Sequence, residues 1–152
     1  MVERKVPHFA ERIVVQGKHR IAGKALKQAV LHAPTLGIST GPSGVQLAAQ
    51  FDRWGISEQI KDRMVQAKPG VPVAALIAQG EVALGFQQLS EMMGVPGIAV
   101  LGPLPEAVQI NTTFSGSVGA NTSHADAVRA MLAFWASAAC AETKVRHGMQ
   151  AA

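Results

Sequence analysis

Leu36-Gly37-Ile38-Ser39-Thr40-Gly41-Pro42-Ser43-Gly44 is the stretch on which the reading of this chain turns. A short apolar run closes on two hydroxyl residues, Ser39 and Thr40. It turns through Gly41-Pro42 and restarts at Ser43-Gly44 into an amphipathic segment. A strand feeding a tight turn and an open helix start leaves backbone N–H groups unpaired and aimed at one place. Such a place carries partial positive charge and attracts oxyanions. The turn is short and lacks the Gly-Lys-Ser/Thr ending of a nucleotide P-loop, which argues against a triphosphate. A small anion held by neutral donors fits the pattern. Ser39, Thr40 and Ser43 can equally be ordinary turn and cap residues.

Outward from that stretch the chain alternates between strand and helix patterns. Residues 24–32 predict a helix, with Ala25, Leu26, Ala29 and Val30 on one side and Pro34 as the stop. A strand is expected over 35–39. A helix follows over 43–54, where Val45, Leu47, Ala48 and Phe51 form the stripe and Gly55 ends it. Ser57 can cap a turn through Ile60. Residues 64–67 predict a brief strand, and Pro69-Gly70 leads into a helix over 71–79. Further strands are expected over 82–86, 98–101 and 107–114, with a helical turn over 90–93. Ser123 and Ser137 stand as caps for two last helices, 124–135 and one ending at Arg146. This order predicts an α/β fold with a mostly parallel sheet flanked by helices. Ligands of such sheets sit at the carboxyl ends of the strands. Three segments lie there: Thr40 to Gly44, Gly70-Val71 and Gln87-Gln88.

Composition excludes several classes. The chain has 152 residues, 48% hydrophobic and 16% charged, which describes a globular protein with a real core. No apolar run approaches the roughly 20 residues a bilayer span needs. Met1 to Pro7 carry no apolar stretch of the secretory type, so the chain as given is expected in the cytoplasm. A lone cysteine, Cys140, excludes an internal disulfide and reads as an inert helix-face thiol. The five histidines have no ligand spacing, so no metal or cofactor is expected. Residues 1–27 hold seven basic side chains against two acidic ones, whereas residues 28–152 hold seven against eight. The body is therefore near neutral behind a basic arm. With no tyrosine and few other aromatics there is little for bases to stack on, and no nucleic-acid partner is expected.

Four motifs in order resemble a known family. They are Ser39-Thr40-Gly41-Pro42-Ser43-Gly44 between strand and helix, Trp54-Gly55-Ile56, Pro69-Gly70-Val71-Pro72-Val73, and Gly80 through Gln88. Together with Phe134 to Ser137 and Arg146 to Met149, they are similar to the molybdate-type periplasmic solute-binding proteins of ABC importers. That family has the two-lobed type II binding-protein fold. The resemblance covers residues 24–149. It implies one ligand-binding α/β lobe over 24–110, a crossover strand with C-terminal helices over 111–152, and a basic arm over 1–23. It also implies a truncated relative lacking most of the first lobe, a periplasmic location, and an importer membrane component as partner.

The resemblance places backbone donors at Ser43 and Val71. Gln88 falls where molybdate binders carry a tyrosine hydroxyl. An amide both donates and accepts, which suits a small organic acid. The expected ligand-binding set is Ser39, Thr40, Gly41, Ser43, Gly44, Val71, Gln87 and Gln88. Capture of an oxyanion or carboxylate without chemistry is the leading expectation, with no catalytic residue and the protein not an enzyme. The alternatives are an isomerase of a small tricarboxylic acid, aconitate-isomerase-like, with Glu91 as the nearest base, or a truncated product without ligand function. Apolar faces on the C-terminal helices need a cover, and a homo-oligomer is the expected one.

Overall fold

A computed structural model describes residues 23–150. Three short parallel strands form one sheet in the order β2-β1-β3, where β1 is Leu36–Ile38, β2 Met64–Gln66 and β3 Leu84–Gly85. Leu36 pairs with Met64 on one side and with Leu84 on the other. All of β1 is buried, as expected of a central parallel strand covered on both faces. The alternation of side chains sends Leu36 and Ile38 to one face and Gly37 to the other. Leu36 and Ile38 join Val30, Ala33, Leu47, Phe51, Ile56 and Ile60 in the main core. Those partners come from α1 (Gly23–His32), α2 (Pro42–Arg53) and α3 (Ser57–Ile60) and their flanking residues.

The opposite face is built on a pair of glycines. Gly37 and Gly85 stand opposite each other on neighbouring strands. A Cβ on Gly37 would lie 2.8 Å from Val73 Cγ1, and one on Gly85 would lie 2.6 Å from the same atom and 2.7 Å from Ile77 Cδ1. Helix α4 (Val73–Ala78) is therefore seated directly on the sheet backbone, with Val73 and Ala74 fully buried. Any side chain at either glycine would lift it.

Helix ends are tied by side chains. Lys27 Nζ donates to the Trp54 carbonyl at the end of α2, 2.8 Å away. Arg63 donates to the Ala33 and Gln59 carbonyls, closing the ends of α1 and α3 together. These bonds satisfy carbonyls that a helix terminus would otherwise leave open.

The α/β fold with its parallel sheet is as expected, and so are the first described helix and the one over 125–136. The last expected helix is divided into a 3-10 turn, Ala138–Cys140, and an α-helix, Ala141–Arg146. Neither Ser123 nor Ser137 caps with its side chain the element that follows it. Several boundaries move. The second helix begins at Pro42, and α4 begins at Val73, because Pro69-Gly70 first makes a turn of its own and Pro72 stands outside as the N-cap residue. The strand expected over 82–86 is reduced to Leu84–Gly85. The expected strands over 98–101 and 107–114 are absent; only a 3-10 turn, Glu106–Val108, occurs there. An extended apolar run becomes a strand only where a neighbour pairs with it, and no described strand lies beside these two. The basic arm expected over 1–23 lies outside the described residues except for Gly23.

Beyond a short helix, α5 (Leu89–Met92), the chain continues to α6 (Ala125–Ala136) and α7 (Ala141–Arg146). Ser137 caps the step between them, its hydroxyl donating to the Phe134 carbonyl at 2.6 Å. The end of α7 turns at Gly148, φ +74°, where a Cβ would meet Met93 Sδ at 2.8 Å and Leu89 Cγ at 2.9 Å. No residue from 106 to 150 is buried. Phe114, Phe134, Trp135 and Val145 are each more than half exposed.

Candidate functional site

The carboxyl edge of the sheet gathers most of the expected residues. Ser39 follows directly on β1, and its hydroxyl lies 3.3 Å from that of Ser43 in the first turn of α2. Gly41 is the N-cap residue of α2, with extended backbone and no side chain to fill the cap. Its carbonyl accepts from the Gly44 amide at 3.0 Å and from the Val45 amide at 3.2 Å. Pro42 has no N–H. The Ser43 amide, between them, has no backbone partner among the described residues. Two hydroxyls and one open amide thus converge at a twelve-residue helix start, where the dipole favours negative charge.

Gly44 has a steric cause as well. A Cβ built there would lie 1.9 Å from the Ser39 carbonyl oxygen. The glycine lets the first turn of α2 pass against the end of β1, which is what brings the Ser39 and Ser43 hydroxyls together. Thr40 is exposed in the bend between them.

The second expected helix start is built differently. The Val71 amide donates to the Lys68 carbonyl at 2.9 Å, closing a turn with Gly70 at φ +80°. Proline followed by a positive-φ glycine at the centre makes this a type II turn. The first-turn amide of α4, on Ala74, donates to Gln87 Oε1 at 3.2 Å. The Gln87 side chain therefore acts as a cap on α4, offered from the neighbouring strand end. Gln88 is the N-cap residue of α5; it is half-buried, and its side chain has no partner among the described residues. Glu91 lies exposed in the single turn of α5.

Lys68 was not among the expected residues. It stands two positions beyond the last paired residue of β2, at the same edge as Ser39. The signal was present in the sequence: a lysine opening a Pro-Gly turn at a strand end. A separate groove of about 260 Å³ runs between α2 and residues 107–110, lined by Gln46, Gln50, Arg53 and Gln109 among others. There the buried Gln50 accepts from Arg53 Nε at 3.0 Å and from Nη2 at 2.6 Å.

Residues 16–150 match the family described as bacterial extracellular solute-binding protein. The chain belongs to that family. It is also 40% identical, over 116 residues, to a protein of a Pseudomonas species named aconitate isomerase. The aligned stretch takes in 74% of this chain and 43% of that relative, so the chain spans less than half the relative's length. No solved structure matches. The expectation that the protein is not an enzyme is overturned by this relative, which bears an enzyme's name at 40% identity. The chain thus matches both a family described by binding and a relative named for catalysis.

Proposed function

We propose that this chain holds a small organic carboxylate at the carboxyl edge of its sheet, as the ligand-binding lobe, residues 24–110, of a solute-binding-family protein. The observation that carries the reading is the meeting of the Ser39 and Ser43 hydroxyls and the open Ser43 amide at the start of α2. Gln88 at the end of the neighbouring strand adds an amide that donates and accepts. Neutral donors with aligned dipoles replace the hydration of an anion at short range and still allow it to leave. Val71, Thr40, Gly41, Gly44 and Gln87 form the surround of this site: two turn residues, two backbone approaches and a cap. Delivery of the ligand to an importer in the periplasm is the setting that goes with this reading.

A thermal-shift series tests it, with cis-aconitate, trans-aconitate, citrate, molybdate, sulfate and phosphate. A tricarboxylate at one hundred times its dissociation constant adds about 2.7 kcal/mol. For a chain of this size that is a rise of roughly 5–10 °C in the midpoint. A shift with molybdate alone, or with no anion at all, overturns the carboxylate reading.

A second reading is favoured by the named relative: the bound tricarboxylate is isomerised. Moving a double bond next to a carboxylate needs a base to take a proton and donors for the charge that develops. The α2 start supplies donors of that kind. Incubation with cis-aconitate, followed by separation of the cis and trans isomers, tests it; an unchanged isomer ratio after hours removes it for this chain.

Self-association belongs to the same reading. Phe114, Phe134, Trp135 and Val145 are apolar and exposed around α6 and α7, and a second copy would cover them. Light scattering at tens of micromolar is expected to return a dimer mass; a monomer mass throughout counts against it.

A further inference from the structure

We infer that Lys68 supplies the cation that makes the strand-edge site select a polycarboxylate over a singly charged ligand. This inference rests on the carboxylate reading above and deepens it. The residue is fixed in place by its backbone. β2 runs in register beside β1, with Ile38 opposite Gln66, and the Ala67 amide donates to the Ile38 carbonyl at 2.9 Å, continuing the ladder one residue further. Lys68 is the next residue, at the same edge of the sheet as Ser39. The turn from Lys68 to Val71 then locks its carbonyl at 2.9 Å from the Val71 amide. Neighbouring strands lie about 4.8 Å apart, less than the length of a lysine side chain.

Its charge is uncommitted. Lys68 is exposed, and its ammonium has no hydrogen-bond or ion-pair partner among the described residues. The neighbouring cations are engaged: Lys27 with the Trp54 carbonyl, Arg53 with Gln50, Lys61 with Glu58, Arg63 with two helix-end carbonyls. Among the described residues Lys24 and Lys144 also show no partner, but they stand on α1 and α7 and not at a strand end. The neutral donors at the α2 start suffice for one carboxylate. A ligand with further carboxylates leaves those facing the rim, where a lysine ammonium acts as a strong, flexible point charge.

Titration calorimetry of the full chain with citrate, at 20 and 200 mM NaCl, tests the inference. Lys68→Met is expected to weaken citrate binding about tenfold at low salt and to flatten its salt dependence, because exposed charge pairs are screened by salt. Lys68→Arg is expected to keep both. Lys61→Met, which removes the same charge ahead of β2, is the control and is expected to match the wild type. Equal citrate affinity and salt dependence in Lys68→Met and wild type overturn the role of Lys68 and leave the carboxylate site standing. Equal losses in Lys61→Met and Lys68→Met reduce the effect to net charge and also overturn it. Absence of citrate binding in the wild type overturns both readings.

Discussion

Gly44→Ala and Gly44→Val are both expected to destabilise the chain by about 3 kcal/mol and to abolish the thermal shift with tricarboxylates. The offending atom is Cβ itself, 1.9 Å from the Ser39 carbonyl oxygen, so the smallest side chain does nearly all the harm. Forcing atoms into a filled site costs typically about 1–3 kcal/mol, and a backbone carbonyl, unlike a side chain, has no other rotamer to take. Relief requires α2 to slide off the end of β1. That movement separates the Ser39 and Ser43 hydroxyls, now 3.3 Å apart, and opens the donor cluster. Urea unfolding followed by circular dichroism gives the stability change, and the citrate melt gives the binding change. A Gly44→Ala protein with wild-type stability would mean that the approach of α2 to β1 is soft, and the geometry of the site would lose its steric basis.

Phe51→Ala is expected to cost about 3–5 kcal/mol, the range for removing a buried aromatic ring. Phe51 is 2% exposed and meets Phe86 edge-on and Trp54 at a tilt, each with ring centres 6.2 Å apart. It therefore joins α2 to the chain beyond β3 as well as to its own C-terminus. Domains hold only about 5–15 kcal/mol in all, so this one ring is a large share of the total. The melting midpoint should fall by about 10 °C or more. A fall equivalent to less than about 1 kcal/mol would place the core elsewhere.

The contrast between these two sites explains how much of the molecule was legible in sequence. Phe51 announced itself: with Leu47 it forms a helical stripe, and both are buried. The strand–turn–helix unit at Leu36 to Gly44 was legible because each residue there has a strong local preference, down to the glycine. The Gly37–Gly85 seat was not legible, since nothing in either strand says what helix will lie across it. The failed strands at 98–101 and 107–114 have acceptable local patterns; pairing is a long-range condition that local pattern does not carry. Gln87 was singled out for the right neighbourhood, yet its side chain is engaged with Ala74, thirteen residues away in sequence. That Lys68 opens a Pro-Gly turn is visible in the sequence; that it shares an edge with Ser39 follows only from β2 lying beside β1, a long-range condition.

The absence of buried residues from 106 to 150 has a consequence for any measurement of folding. Elements without buried contacts open at a free energy far below that of the core around Phe51. Amide protons of α6 and α7 should therefore exchange with deuterium in advance of those in β1 and α2. Calorimetric and van't Hoff enthalpies would then disagree for the free chain, since the last third melts outside the main cooperative unit. Agreement between the two would return only when something apolar is laid over Phe134 and Trp135.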